Sequence, residues 1–283
     1  MPHHIYSYPQ LEPTVRNLCF PGDEPLKGPR SLDFGDPEFH LKHSHADVVI
    51  FFFGFNESFQ GDAGLAEFSE QMTKRVEETR SKNYSGKANA RVVVVSPLAF
   101  EDIGDSNVPD GKKQNMNPSN YTASLNKIAG EQCGRFADIF TATKSLFEAS
   151  EEQLTLNGAH LNDAGYNALA PILMKALGGT PKAGEAPENL RAEIKDKNLH
   201  WWHRYRAVNG YSVSGKRGLA GEDGTGTYNH RDVTDREWAI LDEMTSNRDQ
   251  RIWALAKGSS VPDKCDDCHT LPFLEVVTNV GGE

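Results

Sequence analysis

The stretch Asp47-Val48-Val49-Ile50-Phe51-Phe52-Phe53-Gly54-Phe55-Asn56-Glu57-Ser58-Phe59 governs how the rest of the chain is read. Its apolar run shows no alternation, is bounded by polar residues and stops at a glycine. That pattern predicts a strand over Ala46 to Phe53, buried on both faces, the central kind in a parallel sheet. Ligands of open α/β sheets bind in the crevice beyond the carboxyl ends of such strands. The amide of Asn56, just past the glycine, is therefore a candidate functional group. The plainer reading makes Asn56 a turn cap, a common role for this residue type.

Outward from that strand, Arg91 to Val95 (RVVVV) reads as a second buried strand, closed by Ser96-Pro97. Phe136 to Phe140 and Thr14 to Phe20 (TVRNLCF) read as short strands, the latter stopped by Pro21-Gly22. Gly64 to Lys82 has Leu65, Phe68, Met72 and Val76 at helical spacing. A polar loop runs to about Pro118, followed by a helix over Asn120 to Cys133. Thr143 to Ala149 reads as a helical turn, and Ala164 to Leu177 as a helix ended by Gly178-Gly179. Strands alternating with helices imply a three-layer α/β/α sandwich around a parallel sheet.

Composition changes at Pro181 to Pro187, a Gly/Pro/Ala linker. The expected organisation is a domain over 1–180, a linker over 181–187 and a mostly helical and irregular extension over 188–283. Within the extension, Glu188 to Ala207 is charged and aromatic, and Gly215 to Asn229 is glycine-rich and irregular. Thr234 to Ala256 reads as a helix, with Thr234 and Glu237 at capping-box spacing. The extension shows no independent core of its own.

The chain has 283 residues, of which 37% are hydrophobic and 25% charged, enough for one domain with a core plus an appendage. A net charge of -10 argues against a nucleic-acid backbone as partner. No apolar stretch is long enough to span a membrane. The start, MPHHIYSYPQLEP, lacks the basic and apolar regions of a signal peptide. That fits a cytosolic chain, or a periplasmic or secreted one whose true beginning lies upstream. The 4 cysteines are too few for a disulfide-built fold.

Several features carry chemistry. Asn17-Leu18-Cys19-Phe20-Pro21-Gly22-Asp23 follows the first expected strand, and Gly54-Phe55-Asn56-Glu57 follows the next. Asn157-Gly158-Ala159-His160-Leu161-Asn162 precedes the last helix of the domain, with Gly165-Tyr166 opening it. In this order these blocks resemble the SGNH (GDSL) hydrolase family over about Thr14 to Leu177. The resemblance implies a flavodoxin-like strand order and ester hydrolysis through a serine acyl-enzyme, with no cofactor required. The substrate it implies is a small ester, an acetylated carbohydrate or a lipid. It also assigns roles: the Gly22 backbone N–H and the Asn56 amide as oxyanion donors, His160 as general base and Asn157 as the residue that orients it.

Donors of that kind stabilise the developing oxyanion by about 3 kcal/mol each, and a histidine shuttles the proton. This sequence departs from the family in three ways. Asn157 stands where an Asp usually does, Cys19 where a small glycine is common, and no nucleophile block lies ahead of Thr14. Met1 to Pro13 resembles the helix that follows that block. Ser58 and Ser96 are available hydroxyls but do not lie on nucleophile-type elbows. The plainer reading of His160 is a helix-start residue.

Cys265-Asp266-Asp267-Cys268-His269 has the CxxCH spacing of covalent haem c attachment, with His269 as axial ligand. The plainer alternatives are an acidic loop or a zinc half-site. The region from Leu199 to Phe273 resembles a segment of large bacterial multidomain proteins, in which an SGNH-like module precedes a haem-c-associated region. That implies further domains as partners, and a non-catalytic binding module or electron transfer through a c-type haem at the CxxCH as alternatives to hydrolysis. His40, His43 and His45 form an H-x-x-H-x-H cluster short of a full ligand set. His200-Trp201-Trp202-His203 reads as an aromatic stripe packing on the main module.

Overall fold

The computed structural model describes residues 2–29, 34–206 and 230–274. Its elements, in chain order, are α1 (Pro2–Ser7), α2 (Pro37–His43), β1 (Val48–Phe52), α3 (Asp62–Arg80), β2 (Arg91–Val95) and α4 (Lys112–Glu131). They continue with β3 (Arg135–Ala137), α5 (Phe140–Ala149), α6 (Asp163–Ala176), α7 (Glu188–Tyr205) and α8 (His230–Ala256). The glycine-rich stretch expected to be irregular, Gly215 to Asn229, lies outside the described residues. Among the described residues no helix is long and apolar enough to cross a membrane.

The chain divides into two compact units, and the division differs from the expected one. One unit comprises Phe20–Gly28 and Leu41–Lys182; the other gathers Met1–Cys19, Pro29–His40 and Ala183–Glu283. The break at 182/183 falls inside the expected linker, but the N-terminal segment belongs with the extension.

The first of these units is the α/β sandwich. Among the described residues its sheet is parallel, three-stranded and ordered β1-β2-β3, with Val48 opposite Arg91 and Val93 opposite Arg135. Because side chains alternate along a strand, Val92 and Val94 join Phe68, Met72 and Val76 of α3 and Tyr121, Leu125 and Ile128 of α4 in one core. Val93 and Val95 join Ala137 and Ile139 on the other face, against Leu169, Ile172 and Leu173 of α6. The sheet thus carries helices on both faces.

Among the described residues β1 is not central but the edge of the sheet, and Val48 and Phe52 are 40% and 49% exposed. An unbroken apolar run marks a strand but does not say on which side it has a neighbour. The helix expected from Asn120 begins at Lys112, with Pro118 inside it. Asn115 fixes its first turns, since its side chain accepts from the Phe100 N–H (2.7 Å) and donates to the Phe100 carbonyl (2.9 Å).

The other unit has a core of its own, contrary to the sequence reading. Leu190 and Ile194 of α7, Ile252 of α8, Ile5 of α1 and Ala186 form one buried cluster. Its parts are far apart in sequence, so no single window shows it. Thr14 to Phe20 is not a strand. Its carbonyls go to side chains: Lys197 Nζ donates to Val15 O (2.9 Å), Trp201 Nε1 to Asn17 O (2.8 Å) and the Tyr205 hydroxyl to Leu18 O (2.8 Å). Backbone groups satisfied in this way have no need of a strand partner. Trp201, read as an interface stripe, is buried within this unit and stacks on Tyr205.

Candidate active site

The end of β1 turns sharply at Gly54, whose φ of 108° favours glycine. Glu57 holds that turn. Its carboxylate Oε2 accepts the Gly54 N–H at 2.9 Å, and the residue is only 7% exposed. Among the described residues, the other oxygen, Oε1, is buried without a hydrogen-bond partner. Burial pushes the Glu57 carboxyl pKa up, against the lowering effect of its backbone hydrogen bonds. The Ser58 hydroxyl donates to the Phe55 carbonyl (2.6 Å). Asn56 begins the short 3₁₀ turn Glu57–Gln60, yet its side chain makes no capping hydrogen bond. The amide is exposed, so the turn-cap reading does not describe it.

The His160 loop is framed by a second buried carboxylate. Glu101, 4% exposed, accepts the Leu154 N–H (2.9 Å) and the Thr155 hydroxyl (2.5 Å). Thr155 Oγ1 in turn accepts the Gly158 N–H (2.9 Å), and the Gly158 carbonyl accepts the Glu101 N–H (2.8 Å). A bridge between Thr155 and Leu161 closes the loop. Gly158 has φ 83°, and a Cβ there would meet the Phe100 ring at 2.2 Å. A Cβ on Gly165 would meet the Leu154 carbonyl oxygen at 2.0 Å. Asn162 caps α6 by accepting the Gly165 N–H (2.8 Å). His160 therefore lies before the helix and does not start it.

Asn157 and His160 are in contact, with His160 Nδ1 3.0 Å from Asn157 Oδ1. The same oxygen accepts the backbone N–H groups of Ala159 (3.3 Å) and His160 (3.1 Å). Those donors fix the amide orientation, so Oδ1 faces the ring and Nδ1 must carry the proton. Nε2 is then the basic nitrogen. Both side chains are exposed.

Both loops hang from the carboxyl end of the sheet. A Cβ on Gly54 would lie 3.6 Å from Pro97, just past β2, and Phe100 and Glu101 of the same segment hold the His160 loop. Gly22 is at the third position of a turn in which the Asp23 N–H donates to Phe20 O (3.2 Å), with φ 78°. Its segment is tied to α3 by Arg75 Nε donating to Pro25 O (2.6 Å). Among the described residues, Gly22 makes no hydrogen bond to Asn56 or His160.

The two candidate hydroxyls are occupied structurally. Ser96 Oγ accepts the N–H groups of Ile139 and Phe140, each at 2.8 Å, and Ser58 holds its turn. Sequence reasoning missed Glu57 and Glu101. The available signal was an acidic residue inside a mostly apolar segment just past a strand.

Cys265, Cys268 and His269 lie in the other unit, on the loop after α8. His40 is enclosed by the rings of Phe34, Phe39 and Tyr205, with centroids 5.0 to 5.1 Å away. Among the described residues it forms no ligand group with His43 and His45.

No family model matches the chain, and no curated protein sequence does. Solved structures do. Two catalytic mutants of Axe2, an acetylxylan esterase from Geobacillus stearothermophilus, align with TM-scores of 0.38 and 0.40 at 19% and 17% identity. The alignments cover 47% and 53% of this chain and 60% and 71% of theirs. LAE5, an alpha/beta hydrolase enzyme from the metagenome of Lake Arreo, Spain, aligns with a TM-score of 0.37 at 19% identity, covering 51% of this chain and 64% of its own. The chain spans 60% of the length of the first of these structures.

Proposed function

We propose that the α/β unit is an SGNH-type carboxylic ester hydrolase, acting on an acetylated carbohydrate or a lipid ester through a serine acyl-enzyme. His160 Nε2 takes the proton of the attacking hydroxyl and returns it to the leaving alcohol. Asn157 fixes the ring and its tautomer, and the Asn56 amide and the Gly22 N–H donate to the oxyanion. No cofactor is needed for these steps. The observation that carries the reading is the Asn157–His160 pair, locked on a loop beyond the carboxyl end of a parallel sheet.

Asn157 supplies no negative charge to the imidazolium, and in serine proteases an Asp-to-Asn change in that role lowers turnover by about 10⁴. The expected activity is correspondingly weak. The nucleophile is assigned to neither Ser58 nor Ser96, because their hydroxyls are occupied. That occupation, together with the neutral Asn157, favours a second reading: a non-catalytic binding module for the same acylated ligands, within a larger haem-associated assembly.

Hydrolysis of p-nitrophenyl acetate by the full chain and by His160→Ala separates the two. The hydrolase reading expects the variant to lose at least about 10²-fold in kcat/KM, the low end for a general base. Equal rates would leave only the binding module.

A further inference from the structure

We infer that the loop Cys265 to His269 is a binding site for a borderline-soft divalent cation of the Zn²⁺ class, held by Asp266, Cys268 and His269. The ligand atoms of these residues, one carboxylate oxygen, one sulfur and one imidazole nitrogen, all lie within 4.8 Å of one another. The three side chains are exposed. An oxygen, nitrogen and thiolate set of this kind suits zinc, with three protein ligands and an open fourth position.

The loop is held in that arrangement from beneath. Arg248 of α8, buried, places Nη1 on both oxygens of Asp267 (3.1 and 3.0 Å). Asn247 Nδ2 donates to Asp267 Oδ1 (3.0 Å) and to the Asp266 carbonyl (3.2 Å). Upstream, Arg251 Nη1 donates to the carbonyls of Pro262 (2.8 Å) and Lys264 (3.2 Å), while its other nitrogens grip Glu193. Downstream, the Thr270 hydroxyl donates to Asp267 O (2.9 Å). With Asp267 turned inward, its neighbours face outward. The Cys268 N–H donates to Asp266 Oδ1 (3.0 Å), which sets that carboxylate beside the thiol. Order already present in the loop is not lost again on binding, which raises affinity for a small exposed site.

Cys265 stands apart from the trio. Its thiol faces Asp267 Oδ1 at 3.6 Å. Covalent haem would need this sulfur to leave Asp267 and join Cys268 on one side of the porphyrin, so the observed geometry favours the ion.

The test is Co²⁺ titration of the full chain, followed by Zn²⁺ displacement. Expected are one cobalt per chain and a thiolate-to-cobalt charge-transfer band that Zn²⁺ abolishes. The band disappears in Cys268→Ser and persists in Cys265→Ser and in the Cys19→Ser/Cys133→Ser double variant. His269→Ala and Asp266→Asn weaken binding by at least about 10-fold, the cost of losing even an outer-shell partner. An equal band in Cys268→Ser, or no band in the wild type, overturns the site. So does a pyridine haemochrome spectrum showing covalent haem on Cys265 and Cys268 after expression with haem-attachment machinery.

Discussion

Glu101 and Glu57 do similar work on neighbouring loops and do it differently. Each is a buried carboxylate just past a β-strand, and each holds a loop that carries a candidate functional side chain. Glu101 has both oxygens matched, by the Leu154 N–H and the Thr155 hydroxyl. Glu57 has one matched oxygen, on the Gly54 N–H, and one buried without a partner among the described residues. A buried acceptor left unmatched costs about 1–3 kcal/mol. The His160 loop is therefore a closed frame, whereas the Asn56 turn resists ionisation of the group that holds it.

Substitutions at four positions sharpen or break this contrast. The largest effect is expected from Asn157→Asp. The frame accepts it, because a carboxylate can take the same backbone N–H groups as the amide oxygen. If the chain is a hydrolase, restoring the negative charge beside His160 raises kcat by on the order of 10²–10⁴, with no change in the unfolding midpoint.

Gly158→Ala comes next. It combines an unfavourable φ with overlap of the Phe100 ring, a loss on the order of 4 kcal/mol in chemical denaturation. Glu101→Ala orphans two buried donors and costs about 3 kcal/mol. Glu101→Gln, which keeps one acceptor, costs less. Equal losses for the two Glu101 variants would mean that the frame does not depend on a carboxylate.

The smallest effect belongs to Glu57. Its pKa in the folded chain lies above the ordinary 4.5 because burial disfavours the charge. The folded state then binds the proton more tightly than the unfolded state. The contribution is fully present below about 4.5 and is lost as pH rises through the raised value. Glu57→Gln should flatten that part of the stability profile, measured by denaturant midpoints across acidic pH. A parallel profile for the variant would show that the second oxygen finds a partner in solution.

Much of the sandwich was legible because its signals are local. Phe68, Met72 and Val76 mark α3 by spacing, and Val92 to Val95 mark β2 by their unbroken run. The same kind of run misplaced β1, since Val48 to Phe52 reads alike at an edge or a centre. Thr14 to Phe20 looks strand-like, but its carbonyls are met by Lys197, Trp201 and Tyr205 from about 180 residues away. No local pattern records such partners. The core of the second unit was hidden for the same reason, since Ile5 and Ile252 come from opposite ends of the chain.

In the candidate site, the Asn157–His160 contact follows from a short motif, and Asn56 was picked out by its place after the β1 glycine. Their supports were not. Glu101 acts on residues 53 and 54 positions later, and its place in a mostly apolar segment past β2 does not say which loop it holds.

The most direct test of the central claim, that His160 is held ready as a base, is the ¹⁵N spectrum of its imidazole at a pH where the ring is neutral. The account predicts a protonated Nδ1 and an unprotonated Nε2 in the wild type, with the preference lost in Asn157→Ala. A wild-type ring protonated at Nε2 would contradict it, because the nitrogen assigned to proton transfer would then be blocked.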